Sequence, residues 1–157
     1  MKLIINKLIF LFVFIGCFFS CVLQKPNEKE VAAKEILDYF KLPLSEKKLY
    51  LIIPNSGCGG CIHNAEVFLN DNLQNPLLHA IFTSFDTMKG LKIHLGKTFY
   101  HPNITIDKEL KIPPMNLIDV YPIAVFVEDG KVKNVESFSA QSNLFKKCTK
   151  FINSKSN

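Results

Sequence analysis

Apolar positions along this chain change their spacing from segment to segment, and each change marks an element. In PNEKEVAAKEILDYFKL, residues 26–42, Val31, Ile36, Leu37 and Phe40 fall near one helical face. Asn27 is the expected N-cap, and Glu28 and Glu30 stand in the first turn, where the helix dipole favours acids. Pro43 ends the helix. LYLIIP, residues 49–54, is apolar throughout, with lysines before it and turn formers after it. A short unbroken run of this kind predicts a strand buried on both faces. Helical spacing returns in IHNAEVFLNDNL, where Ile62, Ala65, Phe68, Leu69 and Leu73 share a side. HAIFTSF (79–85) predicts a second strand, DTMKGLKIHLG one or two helical turns, and NITIDKE (103–109) a short strand. PIAVFVEDGKVKNVESF splits into two β-rich runs around Asp129-Gly130, a pair suited to a hairpin turn. SNLFKKCTKFINS predicts a closing helix with Leu144, Phe145, Cys148, Phe151 and Ile152 on its apolar side.

In order these are helix, strand, helix, strand, linking segment, hairpin and helix. A strand–helix–strand crossover followed by an antiparallel hairpin predicts an α/β fold, a mixed sheet with helices on both faces. The 157 residues suffice for one such domain.

The first twenty residues stand apart from that pattern. Lys2 and Lys7 precede the apolar run LIFLFVFIG, and the chain turns polar shortly after CFFSC. This is the layout of an export signal, with a basic start, a short apolar stretch and small residues at a cleavage point. A cysteine just after a small residue at that border resembles a bacterial lipobox. FFSC puts lipidation at Cys21 and FIGC at Cys17; Cys21 is preferred, because cleavage before Cys17 would leave Phe18 and Phe19 on the mature arm. The expected organisation is a signal peptide at 1–20, an anchor and linker at 21–27, and a domain at 28–157. An uncleaved anchor helix is the alternative. Either way the domain is expected outside the cytoplasm, in a bacterial cell envelope, facing the periplasm and tethered to the membrane by lipid.

Composition narrows the function. Hydrophobic residues at 48% and charged residues at 21% describe a globular chain. The net charge of +5 comes wholly from lysine, with no arginine anywhere. A dedicated nucleic-acid or phosphate binder normally uses bidentate arginine, so that class is set aside. No Gly-rich nucleotide loop, HExxH or Gly-x-Ser-x-Gly occurs, and a peroxidatic cysteine would lack its supporting arginine.

The chemistry gathers at NSGCGGCI, residues 55–62, directly after the first strand and at the start of the second helix. Open α/β sheets usually place their sites at this carboxyl end. If the helix begins at the pair, Cys58 lies where unpaired backbone N–H groups and the dipole stabilise a thiolate, lowering its pKa from about 8.5. Cys61 stands one turn on, within reach of a disulfide. Cys58 is then the natural nucleophile and Cys61 the thiol that resolves a mixed disulfide. Gly57, Gly59 and Gly60 leave that sulfur open. Zinc would need four ligands, and His63, His79, His94 and His101 lack the paired spacing that could complete a site. A structural disulfide and Cu(I) held by the thiols remain as other readings. His63 is expected to face solvent, and Cys148 to be a buried, inert thiol.

The strand–Cys-x-x-Cys–helix unit, with Tyr121-Pro122 leading a hairpin that turns at Asp129-Gly130, resembles the thioredoxin superfamily. The additional segment at 85–115 and the exported, lipidated start look most like its TlpA-like thiol-disulfide oxidoreductases. The resemblance spans about residues 45–154. It implies a thioredoxin-like three-layer fold and exchange with protein thiols and disulfides, alongside a redox partner. It implies no metal and no organic cofactor. By this resemblance Pro122 is a cis-proline beside the pair that holds the substrate chain, with Tyr121 before it. Gly57 and Gly60 stand where thioredoxin has tryptophan and proline, and Ile52 where it has a buried aspartate for proton transfer. Glu66 and Asp119 are candidate replacements for that carboxylate. The rival in another class is a non-catalytic thioredoxin-like binding lipoprotein, its disulfide structural or its thiols holding Cu(I).

Overall fold

The computed structural model describes residues 27–44, 46–113, 117, 120–139 and 143–154. The signal segment, Cys17, Cys21 and Asp119 lie outside the described residues.

Helix α1 (Glu28–Tyr39) starts as its sequence requires, with the Asn27 side chain accepting the Lys29 N–H. Strand β1 (Lys48–Pro54) follows, then α2 (Gly59–Asp71) and β2 (Leu78–Thr83). The ambiguous stretch forms α3 (Met88–Leu95), capped by Thr87 and extended by a 3-10 turn at Gly96–Tyr100. The short strand β3 narrows to Ile104–Ile106. The hairpin strands β4 (Ile123–Glu128) and β5 (Lys131–Ser137) and the final helix α4 (Leu144–Asn153) complete the chain. Asp129 (φ 53°) and Gly130 (φ 73°) both take positive φ, the conformation a two-residue hairpin turn demands. Among the described residues no helix is long and apolar enough to cross a membrane.

The sheet runs β3-β2-β1-β4-β5. β1 pairs parallel with β2, β2 parallel with β3, and β4 antiparallel with both β1 and β5. β1 is central because its run of apolar residues can be covered on both sides. Alternation sends Leu49, Leu51 and Ile53 to a core closed by α2, α3 and α4. Tyr50 and Ile52 go to a second core, closed by Ala33, Ile36 and Leu37 of α1. The mixed, three-layer α/β architecture expected from the sequence is therefore present.

Val31 departs from its expected place. It is exposed, whereas Ala33 is fully buried, because α1 presents Ala33, Ile36 and Leu37 to the sheet. α4 keeps its pattern, with Leu144, Cys148 and Ile152 buried. Its end is tied to the start of β1: the Lys47 ammonium donates to the Ser154 carbonyl at 2.8 Å and hydroxyl at 2.7 Å, and lies 4.9 Å from the Phe151 ring centre.

Candidate redox site

β1 ends at Pro54, and the chain leaves the sheet through Asn55, whose N–H donates to the Thr83 carbonyl at 2.9 Å. Three residues later Cys58 caps α2. Its backbone is extended (φ −70°, ψ 92°), and its carbonyl accepts the Ile62 N–H at 2.9 Å, the first bond of the helix. The first turn therefore turns its remaining N–H groups towards the Cys58 end. No acidic residue stands in that turn to offset the positive end of the dipole.

The two sulfurs differ in access. Cys58 is half-buried between exposed Gly57 and Gly59, whereas Cys61, one turn inside the helix, is 6% exposed. They are joined as a disulfide, with Cα atoms 5.3 Å apart. An incoming thiolate can reach Cys58 and expel Cys61; the reverse order would need the buried sulfur to be reached first.

The backbone of Val120 closes the other side. Its carbonyl accepts the Cys58 N–H at 2.8 Å. Gly57 makes this approach possible. It has φ +134°, and a Cβ there would overlap the Val120 carbonyl oxygen. The absence of a side chain at position 57 is thus a steric requirement of this fold.

Pro122 is buried and Tyr121 half-buried, directly behind Val120 in the chain. The expected cis-proline is corrected: among the described residues no peptide bond is cis. A proline amide prefers trans by only about 0.5–1 kcal/mol, so context decides. Here trans Pro122 leads into β4, with its carbonyl accepting the Phe138 N–H at 2.8 Å, and Val120 supplies the backbone contact to the pair.

The carboxylate candidates are otherwise engaged or undescribed. Glu66 accepts from His94 Nε2 at 2.8 Å, joining α2 to α3, and Asp119 lies outside the described residues. Ile52 is fully buried in the α1 core. His63 is exposed, as expected. Cys148 is free and fully buried, and burial pushes its thiol up to about 12, so it is unreactive at neutral pH. Among the described residues no group of three or more His, Cys, Asp or Glu side chains is placed to hold a metal ion.

Sequence reasoning missed three parts of this end of the sheet. The Val120 carbonyl is backbone, and no residue type announces it. The other two are Thr83 and Asp107, both fully buried. Asp107 Oδ2 accepts the Thr83 hydroxyl at 2.7 Å and the Ile112 N–H at 3.0 Å, while Oδ1 accepts the Lys111 N–H at 2.9 Å. A polar residue closing β2 and another directly after β3 were the available signal.

A scan of family models and a search of curated proteins return no match. Among solved structures, the chain is similar to a candidate thioredoxin from Neisseria meningitidis, solved in solution. The likeness has a TM-score of 0.46 and 16% identity, over 69% of this chain and 77% of that one. The fold is defined here by its strand order and register rather than by this likeness.

Proposed function

We propose that the protein is a thiol-disulfide exchange protein of the thioredoxin superfamily, acting on the thiols and disulfides of other proteins through Cys58 and Cys61. The observation that carries this is the asymmetry of the pair: an accessible sulfur at a helix N-cap and a buried one a turn behind it. In the reducing direction the Cys58 thiolate attacks one sulfur of a substrate disulfide, breaking that bond and releasing a substrate thiolate. Cys61, having given up its proton, attacks the Cys58 sulfur of the mixed disulfide and releases the second thiolate. Two electrons pass to the substrate, and the protein is left as the disulfide. A dithiol protein returns them; the oxidising direction is the same sequence reversed.

The TlpA-like assignment rests on the sequence of the additional segment and of the leader. With Cys21 lipidated, the domain works from the membrane surface of a bacterial envelope, facing the periplasm, where disulfides persist.

The deciding measurement is the reduction potential of the Cys58–Cys61 pair against glutathione buffers. A value between about −120 and −270 mV places it among working exchange proteins and fixes its direction; one below about −300 mV marks a structural staple and removes the proposal. Cys58→Ser should abolish exchange, whereas Cys61→Ser should trap a mixed disulfide visible by mass.

A further inference from the structure

α3 and the 3-10 turn behind it divide their side chains sharply. Leu91 is buried, and Met88, Leu95 and Phe99 pack against the core shared with α2 and α4. His94 turns sideways to Glu66 of α2 at 2.8 Å. The outer face carries Lys89, Lys92 and Ile93, all exposed and spaced i, i+3 and i+4. Exposed Lys97 and Tyr100 extend it through the turn, and the Lys92 ammonium stands 4.9 Å from the Tyr100 ring centre.

This face stands out twice. Ile93 at 73% and Tyr100 at 64% are the two most exposed large apolar side chains among the described residues, and the next stand at 40–43%. Its charge is also of one sign. Residues 87–106 contain no aspartate or glutamate, and among the described residues no carboxylate pairs with Lys89, Lys92 or Lys97. Glu66, the acid that α2 turns towards α3, is taken by His94. Residue types then decide between a protein and a bilayer. Protein interfaces deplete lysine and centre on side chains that fill a pocket. A lipid surface suits the opposite pattern: ammonium groups among anionic headgroups, with an aliphatic side chain and a tyrosine entering between them.

We infer that the outer face of α3 and its 3-10 turn docks on an anionic phospholipid bilayer, with Lys89, Lys92 and Lys97 at the headgroups and Ile93 and Tyr100 entering the interface. The inference stands apart from the exchange reading and from lipidation of Cys21. A tether limits the distance to a membrane, whereas this face fixes which side of the domain meets it. Each ammonium near such a surface is worth about fivefold in partitioning, so the three make the contact depend on lipid charge by roughly a hundredfold.

The chain has no tryptophan, so single substitutions supply a local reporter. Full-length Ile93→Trp and Val31→Trp proteins are reconstituted into vesicles of phosphatidylcholine alone, or of phosphatidylcholine with an equal share of phosphatidylglycerol. Quenching by acrylamide is then followed. Val31 is exposed on α1, which closes the core on the other face of the sheet. On the anionic vesicles the Ile93→Trp reporter should shift to the blue and become at least about threefold harder to quench, with Val31→Trp unchanged. Adding Lys89→Gln, Lys92→Gln and Lys97→Gln together should remove the protection. Lys29→Gln, Lys34→Gln and Lys150→Gln, the same change of charge at exposed positions elsewhere, should leave it in place. Equal quenching on both vesicles overturns the proposal. So does protection that survives loss of the three α3 lysines, or that Val31→Trp shows equally. Protection by soluble polyglutamate, with none on vesicles, would assign the face to an acidic protein and overturn the lipid.

Discussion

At the scale of residues, Gly57 and Cys58 act as one unit with Val120. Alanine at position 57 would need a backbone angle that L residues rarely adopt and would push its Cβ into the Val120 carbonyl. We expect Gly57→Ala to cost about 1–3 kcal/mol, read as a lower midpoint in urea for the oxidised protein. Alanine at Gly59 or Gly60 should cost nothing, so the three glycines separate under one assay. The pair was legible in the sequence because its meaning is local: four residues after a buried run and at a helix start. The Val120 carbonyl was not legible, because it arrives from a distant part of the chain and any residue type would present the same group. Pro122 shows the converse. Its position at the head of β4 was readable, but its peptide geometry is set by contacts the sequence does not display.

At the scale of elements, the carboxyl end of the sheet is held by a buried polar knot. Asp107 follows β3, takes the Thr83 hydroxyl from the end of β2 and turns the next stretch by accepting two backbone N–H groups. Asp107→Ala would leave the buried Thr83 hydroxyl and Ile112 N–H without partners, at about 1–3 kcal/mol each before water or rearrangement relieves them, whereas the part-buried Lys111 N–H can turn to water. We expect a total loss near 3 kcal/mol, seen as a lower urea midpoint with an unchanged slope; a change below about 0.5 kcal/mol would remove the knot's structural role. Elements with strong periodicity or turn chemistry were legible: α1, β1, α2, the hairpin and α4. β3 and the 3-10 turn were less so. β3 has only three residues, and pairing with β2, not local preference, makes it a strand. Val31 belongs here too, since a helix with apolar residues on more than one side leaves the choice of buried face to its packing.

At the scale of the molecule, two cores flank one sheet, and a histidine sits inside the sheet itself. His79 on β2 is buried, with Nε2 2.8 Å from the Thr105 hydroxyl oxygen and its ring tilted against Tyr50. Burial, assisted by Lys48, lowers its pKa from 6.5 to about 4. The unfolded chain therefore binds a proton below about pH 6.5 that the folded chain refuses until about pH 4. Stability from this group is complete above pH 6.5, falls as pH drops through that window, and levels off below pH 4. The loss amounts to at most about 3 kcal/mol. Urea denaturation at pH 7, 5.5 and 4 should show a shallower decline for His79→Gln than for the parent; parallel declines would exclude His79 as the source.

The clasp between Lys47 and Ser154 bears on the order in which the chain can be completed. The ammonium that opens the central strand finds its acceptors on residue 154, and that strand's antiparallel neighbour spans Ile123–Glu128. A chain emerging from the ribosome thus carries Cys58 and Cys61 long before the central strand has its antiparallel neighbour or Lys47 its acceptors. Through that interval both thiols are open to any oxidant or stray disulfide they meet. The sheet that sets the pair at its end is complete only once β5 has been made, and the clasp closes only after the last helix.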